Sequence, residues 1–223
     1  MKVLYSSPNF NERSSPIDAV IIHYTDMISA EAALAWLTNP LSQVSAHYLI
    51  DEEGQVYQTV NQEKRAWHAG VSYWQGRANL NDCSIGIELA NPGHSRGYTP
   101  FPDRQIDSLI TLCLEIKKKW NIPRTRFLGH SDIAPQRKQD PGHLFPWERL
   151  AQEGLGLWPV PVSKPEESDL IKQLARIGYE ITSPTHTILA FQRHFQPYKV
   201  DGIADQETYA LAQGLLKAEK MLI

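Results

Sequence analysis

The order of apolar segments predicts a mixed α/β (α+β) fold: a central mixed sheet flanked by helices, followed by a small three-helix domain. Three features carry the prediction. Short β-branched runs are too brief to be helices, one longer segment has a clear helical stripe, and the texture changes after Gly154.

The run Asp18-Ala-Val-Ile-Ile-His23-Tyr-Thr25 reads as a buried strand, short and ending in polar residues. Residues 31–37 follow as a short helix closed by Asn39-Pro40. Residues 45–50 and 55–60 are strand-like and flank the turn Asp51-Glu52-Glu53-Gly54, which makes a hairpin. A loop rich in aromatics and glycine, from Trp67 to Gly76, leads to a strand over residues 84–90. Residues 103–120 form the strongest helix, with Ile106, Leu109, Ile110, Leu112, Cys113, Leu114 and Ile116 at helical spacing and Asn121-Ile122-Pro123 as its stop. Residues 126–128 are a last short strand feeding a loop from Gly129 to Gly142. Strands and helices alternate irregularly around one hairpin, hence the mixed sheet.

From Gly156 to Pro165 the chain is Pro-rich and non-periodic, as in a semi-rigid linker. Beyond it, residues 168–177, 185–195 and 205–218 read as three short helices. The expected layout is residues 1–155, a linker over 156–167, and a helical domain over 168–223.

Composition excludes several classes. The 223 residues carry a formal charge of −3, and no basic block exists beyond Lys117-Lys118-Lys119, so nucleic acid is not an expected partner. The N-terminus lacks the continuous apolar core of a secretory signal, and no stretch approaches the ~20 apolar residues of a membrane helix. A monomer without a membrane span is expected; cytoplasm and cell envelope both stay open. Two cysteines, Cys83 and Cys113, do not make a disulfide scaffold.

Three residues point to chemistry. His23 ends a buried strand, His130 ends another short one, and Asp140 sits in the Pro/Gly-bounded loop Lys138-Gln-Asp-Pro-Gly142. Two imidazoles and a carboxylate suit Zn²⁺, whose catalytic sites keep one position for water. Glu88 is the sole charge in Ser84-Ile-Gly-Ile-Glu-Leu-Ala, the position of a general base. Lys138, two residues before Asp140, is placed to stabilise an oxyanion. Each feature also has a plain structural reading: a satisfied strand-end histidine, a turn aspartate, an edge-strand charge. Spacing alone does not choose among the eight histidines.

The run Gly129-His-Ser-Asp-Ile-Ala-Pro135-Gln-Arg-Lys138-Gln-Asp140-Pro-Gly142 resembles the metal loop of AmpD-type N-acetylmuramoyl-L-alanine amidases. So do Val20-Ile-Ile-His23, Val44-Ser-Ala-His47-Tyr-Leu-Ile, Arg65-Ala-Trp-His68-Ala-Gly-Val-Ser and Ser84-Ile-Gly-Ile-Glu88-Leu, in the family's order, across roughly residues 3–155. The resemblance implies that His23, His130 and Asp140 hold one Zn²⁺, that Glu88 is the catalytic base and that Lys138 stabilises the transition state. It implies an amidase/peptidoglycan-recognition-like fold. It also implies a peptidoglycan or muropeptide substrate, cut between N-acetylmuramic acid and L-alanine. The related phage lysozyme and peptidoglycan-recognition group carries Cys as third ligand, so Asp140 puts this chain on the AmpD side.

Arg65, Trp67 and His68 are candidate substrate contacts, and His47 is expected to support the site. His94 reads as a surface-loop residue. The blocks Ala190-Phe-Gln and Asp201-Gly-Ile resemble the three-helix peptidoglycan-binding module of cell-wall hydrolases. Two alternatives stand beside the amidase: a non-catalytic peptidoglycan-binding protein, and a zinc endopeptidase acting on the stem peptide.

Overall fold

The structure, a computed structural model, describes residues 2–166 and 169–221. Glu167 and Ser168, where the linker was expected to end and the helical domain to begin, lie outside the described residues, as do Met1, Leu222 and Ile223.

From the N-terminus come β1 (Lys2–Leu4), β2 (Phe10–Glu12), β3 (Ala19–Tyr24), α1 (Ala30–Leu37), β4 (Tyr48–Ile50), β5 (Val56–Gln58) and β6 (Lys64–Ala66). The two-residue strands β7 (Tyr73–Trp74) and β8 (Arg77–Ala78) precede β9 (Ser84–Leu89), α2 (Asp103–Trp120) and β10 (Phe127–Gly129). Five helices follow: α3 (His130–Ile133), α4 (Trp147–Gln152), α5 (Leu170–Ile177), α6 (Pro184–Phe195) and α7 (Gln206–Lys220). The main sheet runs β1-β5-β4-β9-β3-β10. Only β4 and β5 pair antiparallel within it; they are the expected hairpin. Asp51 closes that hairpin by accepting from the Glu53 and Gln55 amides at 3.0 and 2.8 Å, an Asx-type turn.

The differences from the sequence reading have local causes. The strands β1 and β2 are three residues each, too short for a pattern to betray them. Arg126 belongs to a 3₁₀ turn after Pro123, so the last strand starts at Phe127. The start of the expected loop is helical instead, because the Asp132 carboxylate accepts from the Gly129 amide at 2.7 Å and closes the first turn.

Alternation along β3 and β9 divides the core. Val20 and Ile22 with Ile85, Ile87 and Leu89 pack on Ile106, Leu109, Leu112, Cys113 and Ile116 of α2. Leu114, counted in the stripe from spacing, lies outside it and is 39% exposed. The Asn121 C-cap takes φ 53°, a left-handed conformation that Asn tolerates well.

The opposite face carries Ile21, Leu128 and Ile133, which share one apolar cluster with Leu174, Ile177, Phe191, Leu211 and Leu215 of the last three helices. The Pro-rich segment lies along α7: a Cβ at Gly214 would meet the Val160 carbonyl oxygen at 2.2 Å, so only glycine admits that approach. Polar contacts reinforce the join. Asp132 accepts from Tyr179 Oη at 2.8 Å and from His194 Nδ1 at 2.7 Å, and the Trp147 ring stacks on His194 at 3.8 Å. Among the described residues no helix is long and apolar enough to cross a membrane.

Phe191 is fully buried at the centre of the shared cluster. Phe191→Ala will therefore cost about 3–5 kcal/mol, as other core Phe truncations do. Calorimetry should show one transition, shifted down, because the sheet and the last helices melt together; two separated transitions would contradict the shared core.

Candidate metal centre and groove

β10, β3 and β9 are adjacent and parallel, so their C-terminal ends open on one edge of the sheet. Residues at this edge point into the crevice beyond the strands. His23 pairs with Glu88 across the β3–β9 register, and Gly129 pairs with Ile22, which makes His130 emerge beside His23. Strand parity sends His23 to the face opposite Val20 and Ile22, away from α2. The loop after α3 brings Asp140 back, anchored by the Ser131 amide donating to the Asp140 carbonyl at 2.8 Å.

Three ligand-type atoms converge there. His23 Nδ1 and His130 Nδ1 are 2.9 Å apart, and Asp140 Oδ2 lies 3.1 and 3.0 Å from them. All three residues are buried, and among the described residues they form the one cluster of His, Cys, Asp or Glu able to share an ion. The far nitrogens are already engaged: His130 Nε2 donates to the Ala69 carbonyl at 3.0 Å, and His23 Nε2 lies 3.0 Å from His68 Nδ1. A carbonyl only accepts, so the His130 proton sits on Nε2 and its Nδ1 lone pair faces the cluster. A buried carboxylate oxygen against such a lone pair is repulsive unless a cation lies between them. A tetrahedron with bonds of about 2.0–2.1 Å has edges of roughly 3.3 Å, close to this triangle. The donor set fits zinc.

Burial, then the neighbouring His130, push His23 down to about 4, which favours a neutral ring with a lone pair to offer at ordinary pH. Burial opposes ionisation of Asp140, but His130 and His23 outweigh it and hold the carboxyl well below the usual range. Glu88 behaves oppositely. Burial, with the Asp140 charge adding, raises its carboxyl well above the usual value, against a smaller pull from Lys138. Its Oε2 is buried without a hydrogen-bond partner among the described residues. Since β9 is central in the sheet, Glu88 is not the edge-strand charge that remained open from sequence.

The groove above these residues encloses about 370 Å³. His23, Glu88 and Asp140 line it, Lys138 stands on one wall, and Trp36 and Trp67 are apolar surfaces along it. Trp36 belongs to α1 and was not singled out from sequence, where it reads as one more apolar helix residue. Of the candidate substrate contacts, Trp67 and His68 line the groove. Arg65 does not: its guanidinium donates to Asn11 and Asn79 at 2.9 and 3.0 Å on the surface. His68 is buried against His23 rather than open to the groove's mouth. His47 stays out of the cluster, its Nδ1 accepting from the Gly86 amide at 2.9 Å. His94 is exposed, as its loop suggested, yet its Nδ1 hydrogen-bonds with Tyr24 Oη at 2.8 Å.

Known proteins share this architecture. A family model described as N-acetylmuramoyl-L-alanine amidase matches residues 13–143. The N-acetylmuramoyl-L-alanine amidase AmiD of Escherichia coli is 39% identical over 231 residues, covering 90% of this chain and 83% of its own. The 1,6-anhydro-N-acetylmuramyl-L-alanine amidase AmpD of Haemophilus influenzae is 38% identical over 163 residues, covering 64% of this chain and 86% of its own. Among solved structures, AmiD from E. coli in complex with the substrate anhydro-N-acetylmuramic acid-L-Ala-D-γ-Glu-L-Lys superposes with a TM-score of 0.83 at 36% identity, over 94% of this chain and 98% of that one. AmpDh3 from Pseudomonas aeruginosa gives 0.84 at 31% identity over 92% of each chain. With matches of this extent, and with the sheet edge, groove and buried triad laid out as above, the chain belongs to the N-acetylmuramoyl-L-alanine amidase family.

Proposed function

We propose that this chain hydrolyses the amide joining N-acetylmuramic acid to L-alanine in peptidoglycan or its fragments, using one zinc ion held by His23, His130 and Asp140. The observation that carries the reading is the convergence of two imidazole nitrogens and one carboxylate oxygen within 3.1 Å, beside the half-buried Glu88, whose Oε2 is buried without a hydrogen-bond partner among the described residues. The names of the relatives and the muropeptide bound to AmiD support the bond that is cut.

When bound, zinc supplies Lewis acidity toward the scissile carbonyl and makes a coordinated water acidic near neutral pH. Glu88 is the proton carrier in this reading. Its raised affinity for a proton suits it to take one from the attacking water and deliver it to the departing amine of L-alanine. Lys138 lines the same groove and supplies positive charge where the carbonyl oxygen becomes negative. Trp36 and Trp67 offer flat apolar faces to the sugar or peptide.

In the same proposal residues 1–155 are the catalytic domain, 156–167 the linker, and 168–223 a peptidoglycan-binding-like helical domain, in a monomer. The shared apolar cluster makes that last domain a partner of the catalytic core as well as a candidate contact to the wall.

Metal analysis should find one zinc per chain, with activity lost on chelation and restored by zinc. Mass spectrometry of digested muropeptides should show peptides with a free N-terminal L-alanine. Cleavage inside the stem peptide would instead establish an endopeptidase, and intact substrate with the metal-loaded protein a binding protein.

Glu88→Gln should lower kcat by about 10²–10⁴ with zinc content unchanged. Its stability effect has a definite sign. Folding raises the Glu88 pKa, so that residue's contribution is full at low pH and is lost as pH climbs from the ordinary carboxylate range toward the raised value. In metal-free protein the variant should therefore match the unaltered chain near about pH 4 and melt higher near about pH 8, by thermal denaturation. Lys138→Met should reduce kcat by about 10²–10³ with little change in KM, measured on a soluble muropeptide.

A further inference from the structure

We propose that His68, backed by Ser84, is a positioning residue that fixes which nitrogen of His23 faces the metal centre, and that the dipeptide His68-Ala69 orients both histidines of that centre. This rests on the metal centre proposed above.

Following the hydrogen bonds outward from His23 leads to a backbone carbonyl. His23 Nε2 meets His68 Nδ1 at 3.0 Å, His68 Nε2 meets Ser84 Oγ at 3.3 Å, and Ser84 Oγ meets the Leu80 carbonyl at 2.5 Å. The carbonyl only accepts, and at that separation the hydroxyl proton must lie between the two oxygens. Ser84 Oγ then has only lone pairs to offer, so the proton of the neutral His68 ring sits on Nε2. His68 Nδ1 therefore accepts, the proton of His23 sits on Nε2, and Nδ1 of His23 points its lone pair at His130 and Asp140. The reverse arrangement would press a His68 lone pair against a Ser84 lone pair inside the protein, where no water relieves it. His23, His68 and Ser84 are all buried, so the order of protons is set by the fold.

Two further features hold His68 in place. A Cβ at Gly86 would lie 2.3 Å from His68 Cγ, so this glycine of β9 is the seat of the ring. Asn81 Oδ1 accepts from the His68 amide at 2.9 Å and from the Ala69 amide at 2.7 Å. The Ala69 carbonyl in turn accepts from His130 Nε2 at 3.0 Å and from Arg137 at 2.8 Å, which uses both of its lone pairs. One short segment thus supplies the outer partner of each histidine, the arrangement that sets ring orientation and ligand basicity in metal sites.

The test is Zn²⁺ affinity of the full chain, measured by competition with a chromogenic chelator. His68→Phe keeps a ring of similar size but offers no acceptor, and should weaken zinc binding by about 10–100-fold. His68→Asn places an amide oxygen near the position of Nδ1 and should restore most of that loss, although it fills the space less well. Ser84→Ala, which frees the His68 proton to move, should show a smaller loss. A purely packing role predicts the opposite order for Phe and Asn; that order, or equal affinity for all chains, overturns the proposal. Absence of zinc binding by the unaltered chain would instead remove the metal centre itself. Should His68→Phe fail to fold, ¹⁵N spectra of the metal-free, histidine-labelled protein decide. Protons on Nε2 of both His23 and His130 are expected, and a proton on Nδ1 of His23 refutes the assignment.

Discussion

Everything at the site depends on three neighbouring parallel strands ending at the same level. Because β10, β3 and β9 run in one direction and in register, His130, His23 and Glu88 leave the sheet side by side from three distant parts of the sequence. The two-residue alternation of a strand does the rest. One set of side chains is committed to the α2 core, and the other set builds the floor of the groove. A shift of one residue in the pairing of β3 would bury His23 under α2 and turn an isoleucine toward the groove.

The electrostatics follow from that placement. Burial raises the cost of charge on Asp140 and Glu88 alike, yet the two carboxyls respond in opposite senses. Asp140 faces two imidazoles, which favour its charged form; Glu88 faces Asp140 with only Lys138 to oppose it, and its affinity for a proton rises. Two acids whose environments push them apart are the condition for giving one a ligand's role and the other a proton carrier's. The orphaned oxygen of Glu88 is an energetic debit for folding, and the proposed reaction gives a reason to tolerate it, since a proton carrier must be unengaged.

The last three helices are part of the same physical object. Their apolar residues close the sheet face that carries Ile21 and Leu128, and His194 and Tyr179 grip Asp132, two residues from His130. Asp132 also caps the turn on which His130 stands. Support for the turn that carries His130 thus reaches it from the far end of the chain, through hydrogen bonds to a fully buried carboxylate.

Sequence alone determined the elements whose causes are local. The β-branched run before His23, the stripe of α2 with its asparagine stop, the Asp51 turn and the three terminal helices follow from spacing, branching and capping within a few residues. His23, Glu88, His130 and Asp140 each drew notice by place and charge, but strand ends and turns alone did not choose among the eight histidines; five ordered blocks resembling the amidase family singled out the set. Only tertiary structure decided what touches what. That Leu114 misses the core, that Arg65 turns away from the groove and that His68 binds His23 are facts of packing between segments far apart in the chain. Nothing in the sequence marks the glycine at position 86 or the serine at position 84, and their purpose appears only when a ring from another loop comes to rest on them. The reason is physical: helix and turn preferences act over a few residues, whereas a proton's position on His23 is set by partners 45 residues and more away.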